Sequence, residues 1–341
     1  MVKVIAPGRR TGAVTVPSSK SIAHRELIAA ALSGSEPPVI RGESNDTLAT
    51  RRCLEAMMSG DPDWPCGESG TTLRLLEPIA GVMGWKGAFR CEGRLAARPR
   101  LPFKRQRRYV VPGNVTSQFV SGLLMALPLA SWDSEIVVEG PLQSESYVRL
   151  TEDTLRASGI VFARAASPHV AYSVRGGQSY AFAGGREVEG DWSQAAFFLA
   201  MGVEVRGLRA DSRQGDRAVV GFLERMRRDA VATIDVSQTP DLYPALAAYA
   251  AATARHTAFV GTERLRLKES DRLASTAALI EAVRAGRPVD ACGDHRIAMS
   301  AALMACFAER PVTVAGADCV AKSYPGFWDD FESLSVCRED G

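Results

Sequence analysis

Five short clusters of charged and hydrogen-bonding residues stand out in this chain because their chemistry suits a compact anion. In sequence order they are Ser18-Ser-Lys-Ser21, Glu68-Ser-Gly-Thr-Thr-Leu-Arg74, Lys268-Glu-Ser-Asp-Arg272, Asp294-His-Arg296 and Ala321-Lys-Ser323. Each places a cation beside hydrogen-bonding groups, at or near the predicted start of an element. Together they predict a site for a small molecule that carries several negative charges.

Two carboxylates in this set have a clear path to chemistry. Glu269, between Lys268 and Arg272, can serve either as a salt-bridge partner or as a proton donor and acceptor, and the residues alone favour the salt bridge. Asp241 follows a proline at a predicted helix start, where an acidic residue more often interacts with the helix dipole than acts as a base. His295 is interpreted as structural.

Short β-rich runs alternate with Ala/Leu-rich helical patterns, and these elements must position the clusters. Strands are predicted at residues 135–139, 170–174, 230–236, 257–260 and 311–314. Helices are predicted over residues 70–83 and from Thr116, Asp191, Pro240, Lys268 and Asp294. The alternation predicts an α/β or α+β architecture. No element is expected after Phe331.

A cation in the first turn of a helix opposes the helix dipole unless an anion lies nearby. We expect Lys20, Lys268 and Arg296 to occupy such positions. Their repetition strengthens the prediction of an anion site beyond what capping residues alone would support.

Length and composition favour a globular protein of two domains. The chain has 341 residues, of which 46% are hydrophobic and 23% charged. Lys and Arg total 41 against 39 Asp and Glu, and the net charge of +2 argues against a protein that binds nucleic acid broadly. The basic run from Arg98 to Arg108 is therefore interpreted as a solvated loop. The Gly-rich stretch from Arg175 to Gly190 is a candidate connection between domains.

Several classes of protein are disfavoured by patterns that the sequence lacks. The seven Cys have no paired spacing, which predicts reduced thiols and a cytoplasmic location, and the four His have no metal-ligand spacing. No apolar run reaches the ~20 residues of a membrane span, and no leader pattern is present. Neither a phosphate-binding Gly-x-x-x-x-Gly-Lys loop nor a Gly-x-Gly-x-x-Gly turn after a strand occurs. We therefore expect neither a cofactor nor a metal.

Taken in order, the motifs resemble those of the 5-enolpyruvylshikimate-3-phosphate synthase family. The segments that carry the resemblance are Pro17-Ser-Ser-Lys-Ser-Ile-Ala-His-Arg25, Gly67-Glu-Ser-Gly-Thr-Thr-Leu-Arg74, Leu265-Arg-Leu-Lys-Glu-Ser-Asp-Arg272, Gly293-Asp-His-Arg-Ile-Ala-Met299 and Ala321-Lys-Ser-Tyr-Pro325. The resemblance extends from Pro7 to about Phe331, nearly the whole chain.

The resemblance implies a two-domain enolpyruvyl transferase fold, an inside-out α/β barrel built from repeated βαβαββ units. Residues 1–18 with 190–341 would form one domain and residues 19–189 the other, with the active site in the cleft between them. The family transfers the enolpyruvyl group of phosphoenolpyruvate to the 5-hydroxyl of shikimate 3-phosphate and releases phosphate, on the way to the aromatic amino acids. It uses no organic cofactor, and glyphosate competes with phosphoenolpyruvate. The expected protein is a cytoplasmic monomer with no nucleic-acid or membrane partner.

The resemblance also assigns residues to the two substrates. The phosphoenolpyruvate set would be Lys20, Gly70, Arg98, Gln118, Glu269, Arg272, Arg296 and Lys322. The shikimate 3-phosphate set would be Ser21, Arg25, Thr116, Ser117, Ser144, Tyr147, Asp241 and Lys268. The catalytic residues would be Asp241, Glu269, Lys20 and Lys268, with Glu269 protonating the methylene carbon and Asp241, with Lys268, handling the proton of the attacking hydroxyl.

Three alternatives remain beside this interpretation. A related enolpyruvyl transferase acts on UDP-N-acetylglucosamine, but Ser21 after Lys20 and Thr116-Ser-Gln118 suit the shikimate enzyme better. A shortened relic would bind anions without turnover, and a nucleic-acid-binding module would show strongly salt-dependent affinity. The chain is shorter than common family members, and Ser18, Glu68 and Arg264 depart from common family forms.

Overall fold

The computed structural model describes residues 1–167 and 169–337, which form a mixed array of strands and helices. The strands are β1 (Val2–Ile5), β2 (Arg9–Thr11), β3 (Ala13–Thr15), β4 (Asp63–Gly67), β5 (Ala88–Cys91), β6 (Arg108–Pro112), β7 (Ser134–Glu139), β8 (Phe162–Ala165), β9 (Ala171–Val174), β10 (Glu204–Arg206), β11 (Val231–Asp235), β12 (His256–Val260), β13 (Val289–Asp290), β14 (Val312–Ala315) and β15 (Ser335–Cys337). The helices are α1 (Lys20–Ser33), α2 (Asn45–Ser59), α3 (Gly70–Met83), α4 (Ser117–Ala126), α5 (Glu145–Ala157), α6 (Trp192–Met201), α7 (Val219–Arg228), α8 (Tyr243–Ala252), α9 (Arg272–Arg284), α10 (His295–Ala305) and α11 (Phe327–Ser333). The predicted α/β class is confirmed.

The chain divides into two compact units. Unit 1 comprises Met1–Ser19, Gly42–Ser44 and Glu189–Gly341, and unit 2 comprises Lys20–Arg41 and Asn45–Val188. The inclusion of Gly42–Ser44 in unit 1 has no signal in the sequence.

Unit 1 surrounds three buried helices with small sheets. α6, α8 and α10 pack against one another, and every residue of α10 is buried. A helix that is apolar on all sides is stable only inside a core, and the Ala-rich sequence of α8 allows close approach. The sheets around these helices are β1-β14-β13, β10-β3, β11-β12 and β15-β2.

Unit 2 has a core of its own, centred on α3 and α4. These two helices pack together, α4 contacts α5, and α1 contacts both α2 and α5. Parallel β4 and β5 form one sheet, and β6-β7-β9-β8 form another, in which β6 and β7 run parallel. Both sheets lead directly to helix starts that carry predicted site residues, because α3 follows β4 and α4 follows β6.

The helix start predicted at Lys268 is wrong in an instructive way. Lys268 does not begin a helix: Glu263–Leu267 is a short 3-10 helix, and α9 begins at Arg272 with Asp271 as its N-cap. The dipole penalty expected for Lys268 therefore does not arise. The helix start predicted at Pro240 agrees with the structure, where a 3-10 turn, Pro240–Leu242, continues directly into α8.

The C-terminal segment is more ordered than expected. α11 continues to Ser333, and β15 pairs antiparallel with β2, with Cys337 opposite Arg9. A strand whose partner lies at the other end of the chain has no local sequence signal. The rest of the predicted tail lies outside the described residues.

Within the described part of the chain, no helix combines the length and the apolar character that a membrane span requires.

Candidate active site

Unit 1 gathers a set of charged side chains that we call the Asp241 cluster: Asp241, Lys268, Glu269, Arg272, Asp294 and Arg296. The 3-10 turn before α8, the loop before α9 and the starts of α9 and α10 supply these residues. Three of the five motifs noted in the sequence lie in unit 1. Two of these, Lys268–Arg272 and Asp294–Arg296, meet in the Asp241 cluster.

Arg272 is the centre of the Asp241 cluster and bonds three carboxylates. It donates from Nη1 to Oδ1 of Asp241 (2.8 Å), from Nη2 to Oε2 of Glu269 (2.6 Å) and from Nε to Oδ2 of Asp294 (2.8 Å). Burial disfavours the charge of this fully buried guanidinium, but the carboxylates of Asp294, Glu269 and Asp241 outweigh burial and raise the pKa of Arg272. Glu269 therefore forms the salt bridge that its position suggested.

The Asp241 carboxylate is surrounded by cations. Besides the bond from Arg272, Lys268 donates from Nζ to Oδ1 at 3.0 Å, and Arg296 donates from Nη2 to Oδ2 at 3.2 Å. Burial opposes ionisation, but the charges of Lys268, Arg296 and Arg272 hold the pKa of Asp241 well below its usual range. Asp241 is thus a carboxylate at neutral pH and accepts hydrogen bonds only.

Lys268 has a pKa shifted toward neutral pH. Burial lowers its pKa to about 8, and Arg272 and Arg264 act in the same direction while Asp241 opposes them. A group that titrates near neutral pH is suited to proton transfer. Lys268 and Asp241, bonded to each other, therefore make a pair in which the lysine can exchange a proton and the carboxylate stays ionised.

Capping geometry explains why the cluster forms where it does. Asp294 caps α10 by accepting from the Arg296 backbone N (3.0 Å), and its other oxygen accepts from Ser270 Oγ (3.0 Å) as well as from Arg272. The buried carboxylate of Asp294 thus satisfies a backbone N–H at the start of α10 and joins the loops that precede α9 and α10. Arg296 lies in the first turn of α10 as predicted, and it also donates from Nη2 to Ser193 Oγ at 2.9 Å.

Unit 2 contains a buried cation, Arg25, whose hydrogen bonds in the described part of the chain go to neutral acceptors. Its guanidinium donates to the carbonyl oxygens of Ser21 (2.5 Å) and Tyr147 (2.8 Å), to Thr151 Oγ1 (2.8 Å) and to Ser121 Oγ (3.3 Å). Burial lowers the pKa of Arg25 to about 10, with Tyr147 opposing. Among the described residues no carboxylate balances this charge, which is the environment expected beside an anionic ligand.

Lys20 begins α1 as predicted, but it has a carboxylate partner that the sequence did not suggest. Its Nζ donates to Oδ2 of Asp46 at 2.7 Å, and Asp46 lies in the first turn of α2. The Asp46 carboxylate neutralises the charge of Lys20, so the unfavourable interaction of this cation with the dipole of α1 is reduced.

A second arginine, Arg74, organises the start of α3 and α4. It donates from Nη1 to Gln118 Oε1 (2.7 Å) and from Nη2 to the Pro99 carbonyl (3.1 Å). Gln118 in turn donates from Nε2 to Thr71 Oγ1 at 2.8 Å. A Cβ added at Gly70 would lie 2.7 Å from Arg74 Nη1 and 3.1 Å from Arg98 Nη1, so both guanidiniums lie against this glycine.

The other predicted residues are placed as follows. Thr116 caps α4 and accepts from the Gln118 backbone N at 3.2 Å, and Ser117 is buried at the start of the same helix. Ser144 is buried just before α5 with φ 56°, a left-handed conformation that is unusual for serine and typical of functional loops. Lys322 ends the 3-10 helix Ala317–Lys322 in unit 1 and is partly buried.

Sequence reasoning missed the residues that hold the predicted ones. Asp294, Ser193 and Asp46 make ion pairs or hydrogen bonds to Arg272, Arg296 and Lys20. Arg74 was noted as a motif cation without a role. The sequence offered a local signal for Asp294, which lies at a helix start beside Arg296, but none for Asp46.

The fold is that of the enolpyruvyl transferases. EPSP synthase from Acinetobacter baumannii superposes with a TM-score of 0.72 at 20% identity, covering 99% of this chain and 100% of that one. The enolpyruvyl transferase NikO from Streptomyces tendae superposes with a TM-score of 0.67 at 14% identity over 98% and 97%.

Sequence comparison narrows the class to one family. The family model for EPSP synthase (3-phosphoshikimate 1-carboxyvinyltransferase) matches residues 4–105 and 100–331, and the chain belongs to this family. The 3-phosphoshikimate 1-carboxyvinyltransferase of Clostridium kluyveri is 34% identical in an alignment that covers 97% of this chain and 96% of that protein. That of Clostridium perfringens is 32% identical over 99% of both. The predicted family and the enolpyruvyl transferase fold are confirmed.

Proposed function

We propose that this chain transfers the enolpyruvyl group of phosphoenolpyruvate to the 5-hydroxyl of shikimate 3-phosphate, with release of phosphate. Membership of the EPSP synthase family supports this reaction. The observation that carries it is the Asp241 cluster, in which an ionised carboxylate is bonded to a lysine with a pKa of about 8 and Arg272 joins that carboxylate to Glu269.

Each part of the cluster has a role in an addition–elimination sequence. Glu269 protonates the methylene carbon of phosphoenolpyruvate, and Asp241 with Lys268 takes the proton of the attacking hydroxyl. Loss of a proton from the new methyl group then expels phosphate and restores the double bond. The charged groups of phosphoenolpyruvate are bound beside Gly70 by six side chains, those of Arg272, Arg296, Lys322, Lys20, Arg98 and Gln118.

Shikimate 3-phosphate is assigned chiefly to unit 2. Its binding set consists of Arg25, which donates to neutral acceptors, and Ser21, Thr116, Ser117, Ser144 and Tyr147, with Asp241 and Lys268 contributed by unit 1. We propose that the two units are the two domains and serve one active site, since each binding set draws residues from both. The protein is proposed to act as a cytoplasmic monomer without nucleic-acid or membrane partners.

Phosphate release from the purified protein tests the proposed reaction. With both substrates present, phosphate should appear steadily, and omission of either substrate should stop it. Replacing shikimate 3-phosphate by UDP-N-acetylglucosamine should give no release, and turnover with that substrate would favour the related transferase. Phosphate release from phosphoenolpyruvate alone would contradict transfer.

The affinity for shikimate 3-phosphate should fall as the pH rises through about 8, the pKa of Lys268. Lys268 is a cation below this pH and loses its charge above it, whereas the sugar phosphate keeps its charge over the same range. The loss should be about tenfold or more, because a hydrogen bond to a charged group contributes about 1.5–3 kcal/mol. Calorimetric titration between pH 7 and 9.5 measures it.

The matched control for this prediction is Lys268→Arg, whose charge persists throughout this range. The variant should show no fall in affinity at pH 8. An equal fall in the variant would assign the pH dependence to another group.

Glyphosate is proposed to inhibit the protein by competing with phosphoenolpyruvate, and Gly70→Ala should weaken that inhibition. The added methyl group displaces the Arg74 and Arg98 guanidiniums, which lie 2.7 and 3.1 Å from its position. Glyphosate is the larger of the two anions and needs this space more. Its inhibition constant should therefore rise about tenfold, because overpacking costs ~1–3 kcal/mol. The KM for phosphoenolpyruvate should change less.

Gly221→Ala is the matched control, because outside the neighbouring backbone of α7 no atom lies within 4 Å of its added Cβ. Unchanged inhibition of an active Gly70→Ala protein would defeat the assignment of Gly70 to this site.

A further inference from the structure

Unit 2 contains a largely enclosed cavity of about 240 Å³ that the proposed reaction does not use. It is bounded by α3, α4, β6 and the loop before β6, and its lining includes Arg74, Phe103, Lys104, Tyr109, Phe119 and Leu123. An engineered apolar cavity of about 150 Å³ holds benzene, so this cavity has room for a ring with a short side arm.

Aromatic rings form much of the lining. Phe103 and Tyr109 stack with centroids 6.0 Å apart and an interplanar angle of 22°. Phe103 lies against α3, where a Cβ added at Gly81 would be blocked by the ring at 2.3 Å from Cδ1. The missing side chain of Gly81 thus leaves room for the Phe103 ring, and the loop packs against α3. This packing fixes one wall of the cavity.

The charges around the cavity favour an anion. Arg74 and Lys104 are the cations among its lining residues, and Glu77, the carboxylate of the lining, accepts from Arg100 at 2.6 Å. The loop that closes the cavity is the basic run of residues 98–108, interpreted from sequence as a solvated loop. Residues 98–107 do lie outside helices and strands, but Leu101 and Phe103 pack against the core of unit 2.

We propose that this cavity binds a small carboxylate that carries an aromatic ring. The ring contacts Phe103, Tyr109 and Phe119, and the carboxylate pairs with Lys104 and Arg74. Such a ligand acts on the proposed active site through Arg74, because Arg74 also donates to Gln118 and to the Pro99 carbonyl. Drawing Arg74 toward the ligand weakens its hold on Gln118 and raises the KM for phosphoenolpyruvate. The binding stands independently; the effect on KM rests on the proposed function.

Calorimetric titration of the full chain with 3-phenylpropionate tests the binding. Saturable binding is expected, at least about threefold tighter than that of 3-phenylpropan-1-ol, which lacks the charge. Leu101→Trp, at a partly buried cavity residue, should fill the space and abolish binding, while Lys104→Gln should weaken binding of the acid and leave that of the alcohol unchanged. Lys86→Gln, an exposed lysine of unit 2 outside the lining, is the matched control and should bind like the parent.

Absence of saturable binding, equal affinity for acid and alcohol, or unchanged binding by a folded Leu101→Trp protein would each overturn the cavity assignment. In the phosphate-release assay, 3-phenylpropionate should raise the KM for phosphoenolpyruvate in the parent and leave it unchanged in Leu101→Trp. Binding without this effect overturns the coupling alone. Absence of phosphate release under all conditions counts against the proposed function and leaves the titration to decide the cavity.

Discussion

Replacing Glu269 by glutamine should lower turnover by about 100- to 10,000-fold, the usual contribution of a general acid or base. The amide keeps the shape of the side chain and can still accept the 2.6 Å hydrogen bond from Arg272 Nη2, so the fold should persist. In the proposed mechanism, the variant lacks the proton that the methylene carbon of phosphoenolpyruvate must receive. Phosphate release at saturating concentrations of both substrates measures the change.

Glu263→Gln is a matched control because Glu263 is an exposed acidic residue at the start of the preceding 3-10 helix. Its turnover should equal that of the parent. Binding of shikimate 3-phosphate by Glu269→Gln should also be retained, which separates lost chemistry from lost structure. If the parent binds both anions and turns over no faster than Glu269→Gln, the chain is an anion-binding relic.

Arg272→Met should have the largest effect on stability. The substitution leaves three carboxylates, those of Asp241, Glu269 and Asp294, without the guanidinium that bonds all of them. Removing one partner from a buried ion pair costs about 3–5 kcal/mol in the free energy of unfolding. For a unit of this size that corresponds to a fall of about 6–20 °C in Tm. Differential scanning calorimetry measures it and reports whether the two units unfold separately.

The loss caused by Arg272→Met should depend on pH. In the parent, the depressed pKa of Asp241 contributes stability that is present above about pH 3.9, the ordinary pKa of an aspartate, and is lost as the pH falls through the folded-state value. Without Arg272 much of that contribution is absent. The difference in Tm should therefore be largest at neutral pH and smallest below pH 4.

Arg266→Met is the matched control, since Arg266 is exposed and its nearest carboxylate oxygen, on Asp271, is 3.6 Å away. Its stability should change by no more than about 0.5 kcal/mol. A similar small change in Arg272→Met would show that the Asp241 cluster does not depend on its central cation.

The sequence predicted the parts of the fold that depend on local signals. The helix Gly70–Met83 was predicted with both bounds correct, because Ser69 is a good N-cap and Gly84 ends the helix in a left-handed conformation. Asp191 and Asp294 likewise marked α6 and α10. Lys268 was assigned to a helix start because the true cap, Asp271, lies three residues later within the same polar motif.

Contacts between distant segments could not be read from the sequence. Asp46 pairs with Lys20 across 26 residues, and Arg296 bonds Ser193 across 103 residues. Such pairs depend on how helices pack, which local propensity does not determine. The family motifs nevertheless pointed to the residues that form the Asp241 cluster, because Lys268, Glu269 and Arg272 are adjacent in sequence. Closure of the repeated units into a barrel stays a prediction.

The most direct test of the proposed reaction is the mass spectrum of the product formed from both substrates in D2O. The proposed mechanism predicts a product heavier than shikimate 3-phosphate by one enolpyruvyl group, with deuterium in its methylene position. The deuterium enters when Glu269, exchanged with solvent, protonates the methylene carbon, and it largely remains when a proton leaves the methyl group. Absence of an enolpyruvyl product would contradict the function, and a product free of solvent deuterium would contradict protonation by Glu269.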